Sequence, residues 1–536
     1  MQAAAIHAPA VKTPTGFARF IIVLTTVTAA VMELIDTSIV NVGLNQIAGS
    51  LGVTIEDISW VITAYAIANV IIIPLTGFLA EYFGRKTYYI VSMILFTIAS
   101  YMCAESTSLV ELVIWRFVQG VGGGALLSTS QAILFDAFEP KDRPMASGLF
   151  GMGLILGPTL GPTLGGYIIE NYSWPLIFTI NIPIGIIATL LSLSFIHKKE
   201  GEGKQKSEIK IDYAGIGLLM VGIGSLQYVL ERGESEDWFN SHLIQVLSGF
   251  ALIGLAGFIW RELTAKRPAV DLHVLGNRNL AFTTIFTFVI GLGLFTSVFV
   301  YPVMVQRIMG WTPYETGLSL LPPTLIGVVM MPVIGRLMSK GVSPLPFVIV
   351  GFILFAAYGL LSGNVTPEAD RWDFFFPLIL RALGLSMVNL PLINQAVAGL
   401  KPKEYASGIA LNNMIRQLGG AFGIALANNY VAHRYMQHRT DMLGSNIVSN
   451  NPAFSQYATS ATQMLASKTG NVFGAQQQAL KLLDLRIDKQ AYFLAYLDTF
   501  HLIALFFVLV LPLVVFLRTK KNTNSAEAMK AAAEAH

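Results

Sequence analysis

Fourteen stretches of mainly apolar residues follow one another along this chain, near residues 17–43, 58–80, 87–104, 109–134, 145–169, 174–196, 213–230, 243–260, 280–305, 313–337, 345–363, 373–398, 406–432 and 497–517. A hydrocarbon layer about 30 Å thick is crossed by roughly 20 helical residues, and inside it every backbone amide must be satisfied within the structure. The runs therefore read as spanning helices, and the chain as an all-α integral membrane protein whose main surroundings are the lipid bilayer. Composition agrees: 54% of the 536 residues are hydrophobic and 12% charged, against roughly 25% charged in an average soluble domain. A net charge of +3, with Lys and Arg dispersed, supplies no basic stripe for nucleic acid. The one cysteine, Cys103, lies in an apolar run, which leaves neither an internal disulfide nor a thiolate metal cluster to build.

Loop charge sets the expected orientation, because cytoplasmic loops carry the excess Lys and Arg. With the N-terminus inside, the inner segments hold twenty-three such residues, from Lys12 to Lys530, and the short outer loops only Arg232, Arg307 and Arg371. Both termini are thus expected in the cytoplasm. Residues 1–16 carry one Lys, and the run that follows contains Glu33 and Asp36, so this segment does not read as a cleavable signal. The outer segment 433–496 is Gln/Asn-rich and too polar to span; Leu480, Leu483, Leu485 and Ile487 predict an amphipathic helix over 475–491, outside the membrane.

An internal repeat divides the chain. Pro74, Gly77 and Leu79 recur as Pro332, Gly335 and Leu337, Arg116 recurs as Arg381, and Ala146-Ser147-Gly148 recurs as Ala406-Ser407-Gly408. Equal orientation of both copies points to parallel halves related about an axis along the membrane normal. The expected organisation is a cytoplasmic N-terminus (1–16), a six-helix bundle (17–196), linkers with two extra helices (197–279), a second six-helix bundle with the long outer loop (280–517) and a cytoplasmic tail (518–536).

Ionisable groups at membrane depth are costly and call for a reason. Glu33 and Asp36 lie three apart on run one, which predicts two inward-facing carboxylates; close together in low dielectric they resist double ionisation, so one holds a proton near neutral pH. That is what proton coupling requires, with Asp36 the favoured carrier. Arg116 cannot lose its charge and is expected to sense the protonation of these carboxylates, while Arg381 and Arg416 are similar cases in the second half. Run five carries Gly148, Gly157, Gly161, Pro162, Gly165 and Gly166: small residues for close packing and prolines that bend the axis, hence a pivot for alternating access. Phe286, Phe295, Phe299, Tyr301 and Met330 are candidate substrate contacts, since aromatic and thioether surfaces accept varied flat ligands. No P-loop, HExxH or GxSxG pattern occurs, so neither ATP-driven transport nor hydrolysis is supported, and an ion gradient in place of a cofactor is the expected energy source.

These residues resemble a known family. The segment Gly77 to Lys86, including Gly84 and Arg85, is similar to the loop between helices two and three of the major facilitator superfamily, with Glu81 and Tyr82 where Asp and Arg are usual. Met32 to Val42, Arg116 with Gly120, and the run-five glycines resemble the helix-one, helix-four and helix-five motifs of its fourteen-helix drug:proton antiporters, the EmrB-like multidrug exporters. Gly224 to Gln227, Arg232-Gly233 and Asp237 to Phe239 extend the resemblance across the extra helix pair. It implies a major facilitator fold of two pseudo-symmetric six-helix bundles with two extra central helices. It also implies roles for Asp36 and Arg116 in proton transfer, export of small amphipathic molecules by proton antiport across the inner membrane, and a periplasmic adaptor protein with an outer-membrane channel as partners. A dedicated exporter of one endogenous metabolite, such as a fatty acid or siderophore, is the alternative, and a non-transporting scaffold a remote one.

Overall fold

The first apolar run becomes one unbroken helix, α1 (Gly16–Leu51), with Glu33 and Asp36 near its middle. In the computed structural model, which describes residues 16–197, 212–265, 268–398, 400, 404–446, 452–469 and 472–517, all regular structure among those residues is helical. The first half continues as α2 (Trp60–Phe83), α3 (Arg85–Glu105), α4 (Leu109–Asp136), α5 (Arg143–Asn171) and α6 (Asn181–Phe195). The added pair is α7 (Tyr213–Arg232) and α8 (His242–Thr264). The second half comprises α9 (Arg278–Arg307), α10 (Pro313–Ser339), α11 (Pro344–Ser362), α12 (Arg371–Val397), α13 (Tyr405–Asn446), α14 (Pro452–Thr469) and α15 (Val472–Val510). Both termini and most of the basic linker residues, at 198–211, 266–267 and 401–403, lie outside the described residues.

Helix ends are marked by polar caps. Thr312 and Glu315 close a reciprocal capping box at the start of α10, Asp370 and Asp373 do the same for α12, and Asp212 accepts the Gly215 amide at the start of α7. Burial and the Arg261 guanidinium act oppositely on Asp212, and the hydrogen bonds from Arg261 and the backbone hold its carboxyl below the usual range. Such caps satisfy amide donors that would otherwise be orphaned where a helix begins.

Thirteen helices among the described residues are long and apolar enough to cross a membrane. The one expected run without such a helix, 406–432, falls on α13, which is not one of them. Its deficit is physical: Asn412, Asn413 and Arg416 sit there, all buried against other helices, so polarity faces protein and not lipid.

The packing reproduces the repeat. Helix α5 runs parallel to α1 and, in the second half, α13 runs parallel to α9: Gly157 meets Leu34 and Gly165 meets Ile39 in the first pair, while Gly291 meets Arg416 and Gly420 meets Phe295 in the second. Between halves, α5 lies antiparallel to α10 along its length. A Cβ added at Gly148 would stand 2.8 Å from the Met331 carbonyl oxygen, one at Gly166 would stand 2.9 Å from the Tyr314 amide nitrogen, and one at Gly335 would stand 2.7 Å from the Pro144 carbonyl oxygen. The related contact, α2 with α13, brings Gly77 against Ser407. Near the N-terminal side, Arg143 also donates to the Tyr405 hydroxyl at 3.1 Å and Ser147 to Asn394 at 3.1 Å. The halves therefore touch at both ends of α5 and enclose space between them.

Helices α7 and α8 cross at Gly222 and Gly254 and lie at the seam of α2 and α13, where Arg232 bonds the Glu56 carbonyl at 3.0 Å. The outer segment differs from the expectation. It is helical wherever described, and the amphipathic stretch 475–491 is not a separate helix but the leading part of α15. Ion pairs explain the extension: Arg434 bonds Asp498 at 2.6 Å, and Arg439 bonds Asp488 at 2.6 Å and Asp484 at 2.8 Å, with Tyr435 stacked on Tyr492 between them.

Close approach at α5 predicts a sharp sensitivity. A Cβ at Gly161 would meet the Ser38 hydroxyl and also lie 2.9 Å from the Ile39 amide nitrogen, whereas one at Gly49 meets nothing within 4 Å. Gly161→Ala is expected to destabilise the purified protein by about 1–3 kcal/mol, the usual cost of overpacking, while Gly49→Ala leaves stability essentially unchanged; thermal unfolding in detergent compares them.

Candidate functional site

Asp36 and Arg116 form the centre of the site. Asp36 is fully buried and Arg116 is 1% exposed, and the guanidinium Nη1 donates to Asp36 Oδ2 at 2.6 Å. A buried ion pair repays its desolvation only when its remaining valences are also satisfied, and here they are. Gln119, one turn along α4, accepts from Arg116 Nη1 at 2.7 Å and donates to Asp36 Oδ1 at 2.9 Å. Asn181 of α6 donates to the same Oδ1 at 2.9 Å, and both amides reach the Ser100 hydroxyl of α3. Arg116 Nε donates to the Val61 carbonyl at 3.3 Å, and the guanidinium lies over the Tyr65 ring at 4.2 Å. One carboxylate thus draws together side chains from α1, α3, α4 and α6, with α2 closing the site.

Glu33 faces elsewhere. It is 4% exposed; its Oε1 accepts from Asn69 at 3.1 Å and from the Tyr65 hydroxyl at 3.4 Å, while Oε2 has no hydrogen-bond partner among the described residues. Glu33 lines a narrow cavity between the halves, with Leu294, Phe295, Asn389, Arg416 and Gln417 contributed by the second half. Arg416, on α13, attracts the Glu33 charge across this space. Tyr65 links the two acids: its ring lies beneath Arg116 and its hydroxyl points at Glu33.

The sequence-predicted residues separate accordingly. Asp36 and Arg116 are in contact, while Glu33, although near them, opens to the cavity. Of the five candidate substrate contacts, Phe295 lines the cavity. Phe286 and Tyr301 do not: both are fully buried in the core of the second half, Phe286 against Phe352 and Tyr301 against Phe374, with the Tyr301 hydroxyl 2.7 Å from Ser319. Phe299 packs on that same core, and Met330 packs with Met331 and Ile155 between the halves. Among the motif residues, Gly84 takes φ +83° at the turn into α3, Arg85 pairs with Asp136, and Glu81 is exposed. Pro162 is buried within α5, which stays helical through it. Gln119, Asn181, Ser100, Tyr65 and Asn69 were not anticipated; polar side chains inside apolar runs were the available signal.

Comparison with known proteins places this geometry. The Major Facilitator Superfamily description matches residues 26–424. The multidrug export protein EmrB of Escherichia coli (strain K12) is 32% identical over 489 residues, covering 91% of this chain and 93% of that protein. The fatty acid resistance protein FarB of Neisseria gonorrhoeae is 32% identical over 494 residues, again with 91% and 93% coverage. Among solved structures, the proton:xylose symporter XylE superposes with a TM-score of 0.54 at 14% identity, covering 91% of this chain and 94% of that one. Two repeated bundles enclosing a cavity, and sequence similarity over nearly the full length, give one conclusion: the chain belongs to the major facilitator superfamily and is a membrane transporter.

Proposed function

We propose that this protein is a proton-coupled antiporter that exports hydrophobic and amphipathic small molecules by alternating access. One observation carries the reading: a buried carboxylate, Glu33, lines the cavity held between the two halves, and one of its oxygens has no hydrogen-bond partner among the described residues. A proton adds at Oε2 without breaking an existing bond. At Asp36 both oxygens are engaged, so a proton arriving there must displace Arg116, Gln119 or Asn181. Glu33 is accordingly the residue that exchanges protons with the cavity, with Asp36 and Arg116 as the fixed charges against which its state is felt. A mixed aromatic and aliphatic wall around few polar groups suits varied amphipathic ligands. The relatives named for multidrug export support breadth of substrate; the one named for fatty acid resistance favours the narrower alternative of one dedicated metabolite.

The bias of Lys and Arg supports an inner-membrane setting with both termini cytoplasmic. In that orientation the α13–α15 extension stands in the periplasm. It is the surface we assign to a periplasmic adaptor that leads to an outer-membrane channel, as the resemblance to EmrB-like exporters implies. The proton gradient takes the place of any cofactor.

The test is movement of dyes in reconstituted vesicles under an imposed pH gradient. Movement that ignores the gradient sinks the proposal, and competition among unrelated dyes separates a broad exporter from a dedicated one. In the same assay Glu33→Gln is expected to abolish gradient-driven efflux while dye-for-dye exchange without a gradient persists; retained coupling removes Glu33 from the mechanism. Asp36→Asn leaves Arg116 buried and uncompensated, which costs about 3–5 kcal/mol. We expect lowered thermal stability, recovered in part by adding Arg116→Gln.

A further inference from the structure

The repeat pairs Arg116 with Arg381, but the two arginines have different fates. Arg381, on α12, is 4% exposed, and its Nε and Nη1 have no hydrogen-bond partner among the described residues. Its guanidinium has the Tyr358 ring at 5.9 Å. In the first half the counter-charge comes from Asp36. The repeat offset of 258 residues that carries Pro74 to Pro332 and Gly77 to Gly335 carries position 36 to 36 + 258 = 294, which is Leu294. Helix α9 contains no Asp or Glu along its whole length, so it offers Arg381 no substitute.

Arg381 instead lines a small cavity. Leu294 and Pro158 line both this space and the larger one beside Glu33, so the two adjoin. Its other walls are apolar, apart from Thr159 and Thr324, whose hydroxyls bond each other at 3.2 Å. Across both cavities the ionisable lining groups are Arg381, Arg416 and Glu33, two cations against one carboxylate. A guanidinium always carries its charge and offers paired donors that match a carboxylate. An unpaired buried cation is a standing demand for an anion.

We infer that Arg381 is the anion-binding subsite of the transport cavity, and that the substrates it selects are amphipathic organic anions. The acidic head lies against Arg381, and the apolar body extends past Leu294 and Pro158. This rests on the reading of the chain as an exporter, and it goes further by naming the charge of what is carried and the residue that reads it.

The experiment is equilibrium binding to the full-length protein in nanodiscs at pH 8, without any gradient, using decanoate, decanol and decyltrimethylammonium as probes with one common tail. The wild type is expected to bind decanoate at least about tenfold tighter than decanol, the scale of a hydrogen bond to a charged group, and the cation weakest. Arg381→Gln collapses the decanoate-to-decanol ratio towards one, and Arg381→Lys retains part of it. Leu294→Asp keeps Arg381 but supplies an internal carboxylate, and it collapses the ratio as well, which covers the case in which Arg381→Gln fails to fold. A wild-type ratio near one, or a ratio that survives Leu294→Asp, overturns the inference. Because binding is read without a gradient, this outcome is separate from any failure of proton-driven efflux in vesicles.

Discussion

The ion pair between Asp36 and Arg116 is the constraint around which the first half is organised. Neither side chain reaches water, and the guanidinium cannot shed its charge, so the cost of burying it is met only while Asp36 stays within reach. Every partner that completes the pair comes from a different helix: Gln119 from α4, Asn181 from α6, Ser100 from α3 and the Val61 carbonyl from α2. Lipid offers helices no hydrophobic drive to associate, which leaves close packing and polar contacts to do so. A shared polar centre of this kind makes the half-molecule one body.

The junction between the halves is built from a different chemistry. Helix α5 presents Gly157, Gly161 and Gly165 to α1 at one-turn spacing, and Gly148 and Gly166 to α10. Its close approach on both faces makes it the element on which the first half and the second bear. Among the polar bonds across this junction, Thr159 to Thr324 and Ser147 to Asn394 are single contacts between neutral groups, and Arg143 to Tyr405 is one bond from a charged donor to a neutral hydroxyl. Neutral bonds contribute roughly 1 kcal/mol each, far less than the Asp36 centre, so relative motion breaks the junction before it breaks a bundle. Glu33 sits where these two regimes meet, tied to the first half through Asn69 and Tyr65 and open to Arg416 of the second.

Much of this was legible because the physics involved is local. A bilayer demands long apolar helices, intramembrane charge demands partners, and glycine permits close approach, so spans, acids, Arg116 and the α5 stripe could each be read from residue type and spacing. What spacing alone left open was direction. Glu33 and Asp36 are three apart, which at 3.6 residues per turn turns their side chains about 60° from each other; that divergence sends one into the polar centre and the other into the cavity. Phe286 and Phe295 are nine apart, two and a half turns, and so look to opposite sides of α9. One lines the cavity while the other is sealed in the core.

The amino-acid sequence by itself determined the membrane-spanning all-α class, the two related halves, the buried charges and the family, because each follows from periodicity and from the cost of polar groups in lipid. Only the tertiary structure decided that Asp36 is saturated while Glu33 is not, that Arg381 has no carboxylate partner among the described residues where its counterpart has one, and that residues 433–446 and 472–496 continue α13 and α15 as paired helices. Those outcomes depend on which residues from distant helices occupy the few ångströms around each group, a distance that order along the chain does not contain.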